Sequence, residues 1–208
     1  MNRIANTIKN RLSLRPPQAD SLNILAELAD KLTLQKNGDL VAALEKVKSA
    51  YPTCIDFERN FPSICFSLAT GVGKTRLMGA FIAYLYLSKG IKHYFVLAPN
   101  ITIYNKLIED FSNPNCPKYV FQGIGEFVHN QPRIITGDNY SYNVLRQKKM
   151  FGSDIHINIF NISKIHAETK GGKLPRVKRL SEYLGDSYFN YLSSLDDLVL
   201  LMDESHHY

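Results

Sequence analysis

Cysteine is scarce in this chain of 208 residues: Cys54, Cys65 and Cys116 are the whole supply. Three scattered thiols without a Cys-x-x-Cys pair exclude a disulfide framework and a cysteine metal site, and they suit a reducing, cytoplasmic setting. Long apolar runs are missing as well. None approaches the roughly 18 residues needed to cross a bilayer, so the sequence predicts no membrane partner. Internal repeats and low-complexity tracts are also absent. The first nineteen residues lack any acid but hold Arg3, Lys9, Arg11 and Arg15. That bias superficially matches an organellar transit peptide. Ile4, Ile8 and Leu12, four apart, instead describe an amphipathic surface helix. The Asn-x-Ser/Thr triplets at Asn100, Asn139 and Asn161 mean little without a secretory signal.

What is present is ordinary for a globular protein: 45% hydrophobic and 21% charged residues, which excludes a disordered or fibrous chain. A chain of this size buries roughly 70% of its unfolded surface and needs no staple. The net charge of +6 suits a polyanionic partner without proving one.

The first fifty residues read as helical. Leu22, Leu25, Leu28, Ala29 and Leu32 recur at helical spacing after Pro16-Pro17, with Asp20 as the expected cap. Gly38-Asp39 interrupts, and a short helix bearing Leu40, Leu44 and Val47 runs to Tyr51-Pro52. From residue 62 short apolar runs alternate with helical stretches. Ser63 to Leu68, Tyr94 to Ala98, Tyr119 to Gln122, Arg133 to Thr136, Ile155 to Ile162 and Leu198 to Met202 are the runs. Helices are expected at about Lys74 to Ser88 and Ile101 to Phe111. Strands alternating with helices predict an α/β fold, a parallel sheet with helices on both faces. Continuous apolar runs are what doubly covered parallel strands require. The expected division is a helical segment over 1–52 and an α/β domain over 53–208. Lys164 to Arg179 is the most basic and loop-like stretch, a candidate DNA-facing loop or a solvated surface.

Ala69-Thr70-Gly71-Val72-Gly73-Lys74-Thr75 lies between an apolar run and an amphipathic helix, the context of a phosphate loop. Glycine lets backbone N–H groups curl around phosphate oxygens. A helix starting near Gly73 adds its dipole to the same anion site. Lys74 is the expected partner of the β- and γ-phosphates, and the Thr75 hydroxyl the expected Mg²⁺ ligand. The general pattern has glycine where this chain has Leu68. Near the end, the apolar Leu198 to Met202 runs into Asp203-Glu204-Ser205-His206. Carboxylates there stand at the carboxyl edge of a parallel sheet, where ligands of such folds bind. Asp203 is expected to hold Mg²⁺ and Glu204 to polarise the attacking water. His206 and His207 also admit a metal site with Asp203, but no spacing places further ligands.

Together the phosphate loop and the Asp203–His206 box resemble motifs I and II of superfamily-2 helicases of the DEAD/DEAH-box type. Phe61-Pro62-Ser63-Ile64-Cys65-Phe66, running into the loop, and Leu97-Ala98-Pro99-Asn100-Ile101-Thr102 resemble the Res subunit of type III restriction enzymes more closely. The resemblance covers roughly 13–208 and implies a RecA-like P-loop NTPase domain that binds ATP and Mg²⁺. It implies that Pro99, Asn100 and Thr102 contact a nucleic-acid backbone, although Asn100 also suits a helix cap. It implies that His206 links nucleotide state to a second motor domain. Leu14-Arg15-Pro16-Pro17-Gln18 resembles an element upstream of motif I whose Gln reads adenine, which makes Gln18 the candidate base reader; an amide both donates and accepts. Phe160 to Lys164 resembles a further family element without an assigned contact.

Superfamily-2 motors hydrolyse ATP between two such domains, the second supplying arginine fingers. The chain stops four residues after Glu204. The expectation is therefore a first motor domain, incomplete at its C-terminus, that binds nucleotide weakly and hydrolyses little. The implied function is DNA-translocating ATPase of a type III restriction endonuclease, with double-stranded DNA contacted through its backbone and a modification methyltransferase subunit as partners. A helicase-family ATPase of DNA repair or RNA metabolism, or a vestigial nucleotide-binding fragment, are the alternatives.

Overall fold

A computed structural model describes residues 2–137, 139, 154–161 and 188–203. The chain divides into two compact units, Met1–Lys89 and Gly90–Tyr208. The expected boundary after residue 52 falls inside the first of them.

Helices are the only regular elements among the described residues of the first unit: α1 (Arg3–Arg11), α2 (Pro16–Lys31), α3 (Leu40–Ala50) and α4 (Lys74–Lys89). Asn2 caps α1, its Oδ1 accepting the Ile4 and Ala5 N–H groups at 3.0 and 3.2 Å. As the spacing predicts, α1 buries Ile8, with Leu12 just past its end, and leaves Arg3, Asn6, Thr7, Asn10 and Arg11 in solvent. α2 starts four residues before the expected cap at Asp20. Pro16 and Pro17 open it, because proline has no N–H to lose there and its fixed φ suits a first turn. α3 begins where expected, with Asp39 Oδ1 accepting the Ala42 N–H at 3.0 Å. Val47 of α3 joins Leu28 of α2, Leu32 just past its end and Phe57 in one buried cluster.

α4 is buried on every side from Leu77 to Leu85, which is what its apolar composition all round demands. α1 and α2 pack against it. A polar tie locks the three: Asn2 Nδ2 donates to the Tyr84 hydroxyl at 2.9 Å and to Asp30 at 3.1 Å, and Lys89 pairs with Asp30 at 2.7 Å.

Ser63 to Leu68, expected to be a strand, is not one. Ile64, Phe66 and Leu68 are half-buried while Cys65 and Ser67 are exposed, so the segment alternates as a strand would. Its unit, however, offers only helices as neighbours among the described residues, and no ladder forms. Ile64 packs beside the α2–α3 cluster, and the Phe66 ring lies 5.0 Å from that of Phe81.

Among its described residues the second unit holds a four-stranded parallel sheet in the order β2-β3-β1-β4, from β1 (His93–Ala98), β2 (Arg133–Thr136), β3 (His156–Asn161) and β4 (Leu198–Met202). The helices among its described residues are α5 (Ile101–Ser112), α6 (Gly125–His129) and α7 (Tyr188–Ser194). The α/β expectation holds. Alternate side chains of β1 divide between the faces. Phe95 and Leu97 join Ile135, Phe160, Tyr188 and Leu192 in a core under α7, with Phe95 stacked on Phe160 at 5.3 Å. Tyr94, Val96 and Ala98, on the other face, are fully buried too, and α5 packs against β1, β2 and β3.

Asn158 is the polar rivet of this core. Its Nδ2 donates to the Tyr94 carbonyl at 2.8 Å, and its Oδ1 accepts the Tyr188 hydroxyl. At the amino edge Asp197 accepts the Lys92 N–H at 2.8 Å and meets His93 Nδ1 at 2.5 Å, which aligns the starts of β1 and β4.

Tyr119 to Gln122, a second expected strand, is a turn. Phe121 stacks on Phe127 at 4.3 Å and meets Phe111 edge-on at 5.7 Å, so the apolar run is spent on an aromatic cluster beneath α5.

Candidate functional site

The glycine loop occupies the turn ahead of α4. Gly71 has φ +80° and Gly73 φ +94°, in the left-handed region that glycine adopts without strain. The two need glycine differently. A Cβ at Gly71 would meet nothing within 4 Å, so only its backbone angle demands glycine. A Cβ at Gly73 would lie 2.7 Å from Gln18 Nε2, so space demands it as well.

Lys74 and Thr75 open α4, whose first turn holds no acidic residue. The first amides of a helix have no intrahelical acceptor, and the dipole there favours negative charge. Open space at Gly71, amides at the start of α4, the Lys74 ammonium and the Thr75 hydroxyl form a donor set that fits a phosphate chain with its cation. Among the described residues no group of three or more His, Cys, Asp and Glu could hold a metal by itself. Mg²⁺ commonly binds through one or two protein oxygens plus substrate phosphates, a pattern compatible with that finding.

Gln18 comes to this loop across 55 residues of sequence. Its Nε2 donates to the Gly73 carbonyl at 2.8 Å, and its Oε1 accepts the Arg15 N–H at 2.8 Å. The side chain is 2% exposed, so the amide faces the chain's own groups. Arg15 is a participant that sequence reasoning passed over: its Nη1 donates to the Gly71 carbonyl at 3.3 Å. The available signal was a cation within the same Leu-Arg-Pro-Pro-Gln element. The chain between Gln18 and the loop runs through the rest of α2 and through α3 before it returns to Gly73.

In the second unit the expected residues gather at the carboxyl edge of the sheet. The Asp203 N–H donates to the Leu97 carbonyl at 3.2 Å, which continues the β4–β1 pairing one residue past the strand. Pro99 to Thr102 follow the neighbouring strand β1. Asn100 caps α5, its Oδ1 accepting the Ile103 N–H at 3.0 Å, while Asn100, Ile101 and Thr102 stay exposed. The first turn of α5 is likewise free of acids. Glu204, His206, His207 and the basic stretch Lys164 to Arg179 lie outside the described residues.

A family model described as "Type III restriction enzyme, res subunit" matches residues 11–208. The chain is also similar to the "Probable type III restriction-modification enzyme HindVIP Res subunit" of Haemophilus influenzae. The two are 29% identical over 175 residues, which cover 77% of this chain and 30% of that protein. No solved structure matches the chain. No helix among the described residues is long and apolar enough to cross a membrane.

Proposed function

Since the chain belongs to the family of type III restriction enzyme Res subunits, helicase-like ATPases, we propose that it is the ATP-binding first motor domain of a DNA-translocating restriction ATPase. The observation behind this reading is the loop itself. Two glycines at positive φ lead directly into Lys74-Thr75 at the head of a buried helix.

Thr70 to Thr75 wrap the β- and γ-phosphates with backbone N–H groups, and Lys74 pairs with their charge. As the resemblance implies, the Thr75 hydroxyl and the Asp203 carboxylate would each serve as a hard oxygen donor to Mg²⁺, which when bound would neutralise charge on the phosphates. Glu204 orients the attacking water, and His206 relays nucleotide state to a second motor domain, as the resemblance implies. Pro99, Asn100 and Thr102 contact the DNA backbone at the open start of α5, where a capped helix N-terminus suits a phosphate. Such contacts position the protein without reading sequence. Sequence recognition then falls to a modification methyltransferase subunit, in the cytoplasm. The first residues, 1–52, serve as a helical segment ahead of the motor domain.

Calorimetric titration of MgATP into the folded chain, beside Lys74→Ala, tests the reading. Binding by the natural sequence and its loss in the variant are expected. Well-folded natural protein that binds no MgATP overturns it.

A further inference from the structure

The Gly73 carbonyl has two donors. Leu77 N–H reaches it at 3.2 Å as the first turn of α4, and Gln18 Nε2 reaches it at 2.8 Å from the start of α2. A carbonyl oxygen has two lone pairs, so both are in use. The orientation of the Gln18 amide follows from its partners. The Arg15 N–H can only donate and the Gly73 carbonyl can only accept, so Oε1 faces the first and Nε2 the second.

Planarity carries this contact into the loop. The Gly73–Lys74 peptide unit is rigid and trans, so a carbonyl held towards Gln18 aims the Lys74 N–H the other way. That N–H belongs to the first turn of α4, where a helix presents its amides to an anion. Arg15 repeats the arrangement one turn of loop earlier, at the Gly71 carbonyl. Pro16 and Pro17 fix the backbone between the two donors, since their φ angles are set by their rings. Gln18 therefore reaches Gly73 from a stiff base, through space that only a glycine leaves open.

We propose that Gln18 is a positioning residue of the phosphate loop, holding the Gly73 carbonyl so that the following amides face the phosphates. It acts alike on every nucleotide, whatever the base. Reading adenine calls for a donor and an acceptor turned together towards a purine edge. Here one of each is committed to Gly73 and Arg15, and the side chain is buried. The proposal rests on the phosphate-loop reading above and deepens it.

The test titrates MgATP, MgGTP and inorganic tripolyphosphate into the full chain and into Gln18→Met and Gln18→Glu. Methionine keeps the length and volume of the buried side chain and removes both hydrogen bonds. Glutamate keeps the acceptor for Arg15 and sets an oxygen against the Gly73 carbonyl. Both variants should lose about tenfold in affinity for all three probes, the loss of roughly one well-formed hydrogen bond, with the ATP-to-GTP ratio unchanged. A fall confined to MgATP overturns the proposal in favour of base reading, and unchanged affinities overturn it outright. Amide hydrogen exchange over residues 69–77, measured without ligand, gives a second arm. Faster exchange in both variants supports the tie, and unchanged exchange overturns it. If the natural sequence binds none of the probes, the phosphate-site reading fails, while the exchange result still decides whether Gln18 holds the loop. A Gln18→Met chain that does not fold leaves Gln18→Glu, with its acceptor for the Arg15 N–H intact, to decide both points.

Discussion

The phosphate loop of the first unit is irregular backbone held by two side chains from elsewhere in the sequence, Gln18 and Arg15. The carboxyl edge of the second unit is held by a ladder instead. Asp203 continues the β4 pairing with β1, and Pro99 to Thr102 follow β1 directly. A ladder shares its load over many backbone bonds and a core, so its edge fails when the core fails. A loop pinned by single side chains fails one contact at a time. Lesions should therefore act on stability in the second unit and on ligand affinity in the first.

The largest effect is expected where the ladder depends on packing. Phe160 is fully buried, stacked on Phe95 and tilted against Tyr188 at 5.6 Å. Phe160→Ala should cost about 3–5 kcal/mol through lost burial and the cavity left behind. Denaturant unfolding read by circular dichroism measures it, and a loss under about 1 kcal/mol would break the claim that this core holds the edge.

Lys74→Ala should do the opposite. The residue opens α4 and is only partly buried, so the fold should persist. Affinity for MgATP should drop about 100-fold, in keeping with a hydrogen bond to a charged group worth up to ~3 kcal/mol. Calorimetry against far-UV circular dichroism separates the two quantities. Comparable losses in both would erase the contrast between the units.

The two loop glycines sharpen the comparison further. Gly71→Ala meets open space and should cost only the left-handed backbone term, about 1–2 kcal/mol. Gly73→Ala adds a contact at 2.7 Å with Gln18 Nε2 and must displace that amide. Its loss of nucleotide affinity should exceed that of Gly71→Ala by several-fold. Equal losses would mean that the Gln18 contact contributes nothing to the shape of the loop.

The same contrast explains what could be read from the sequence. Tyr94 to Ala98 lies in β1 and is buried throughout, because a parallel strand covered on both faces must be continuously apolar. Leu198 to Met202 and Arg133 to Thr136 are strands over the runs expected, at the two ends of the strand order. The start of α3 after Gly38-Asp39 and the burial pattern of α1 were equally plain, since a break in the pattern and helical spacing are local signals. Ser63 to Leu68 misled because alternation shows that a segment is extended and half-buried, not that a partner strand lies beside it. Tyr119 to Gln122 misled because an aromatic cluster and a buried strand ask for the same residues. The start of α2 was missed because Pro16-Pro17 reads as a break when it is a first turn. The motif residues of the loop were visible, but not the hand that holds them. A hydrogen bond spanning 55 residues leaves no period or spacing to find.

The smallest predicted effects come from one buried and one paired carboxylate, and they have opposite signs. In the first unit the hydrogen bond from Lys89 holds the Asp30 carboxyl below its ordinary value of 3.8, with Asn2 helping and burial opposing. A lowered pKa means the unfolded chain takes up the proton first. The pair's contribution is then present above pH 3.8 and fades as pH falls through the lowered pKa. In the second unit burial raises the Asp110 carboxyl, against Lys106 and Lys118. A raised pKa means the folded chain takes up the proton first, so stability falls as pH rises from 3.8 through the raised value. Asp30→Asn should therefore lower the melting temperature at about pH 7 by a degree or so, and Asp110→Asn should raise it by a similar small amount. Both differences should shrink in melts taken towards about pH 3. An Asp110→Asn gain that persists in acid would show that the substitution acts through packing, not through the charge that burial disfavours.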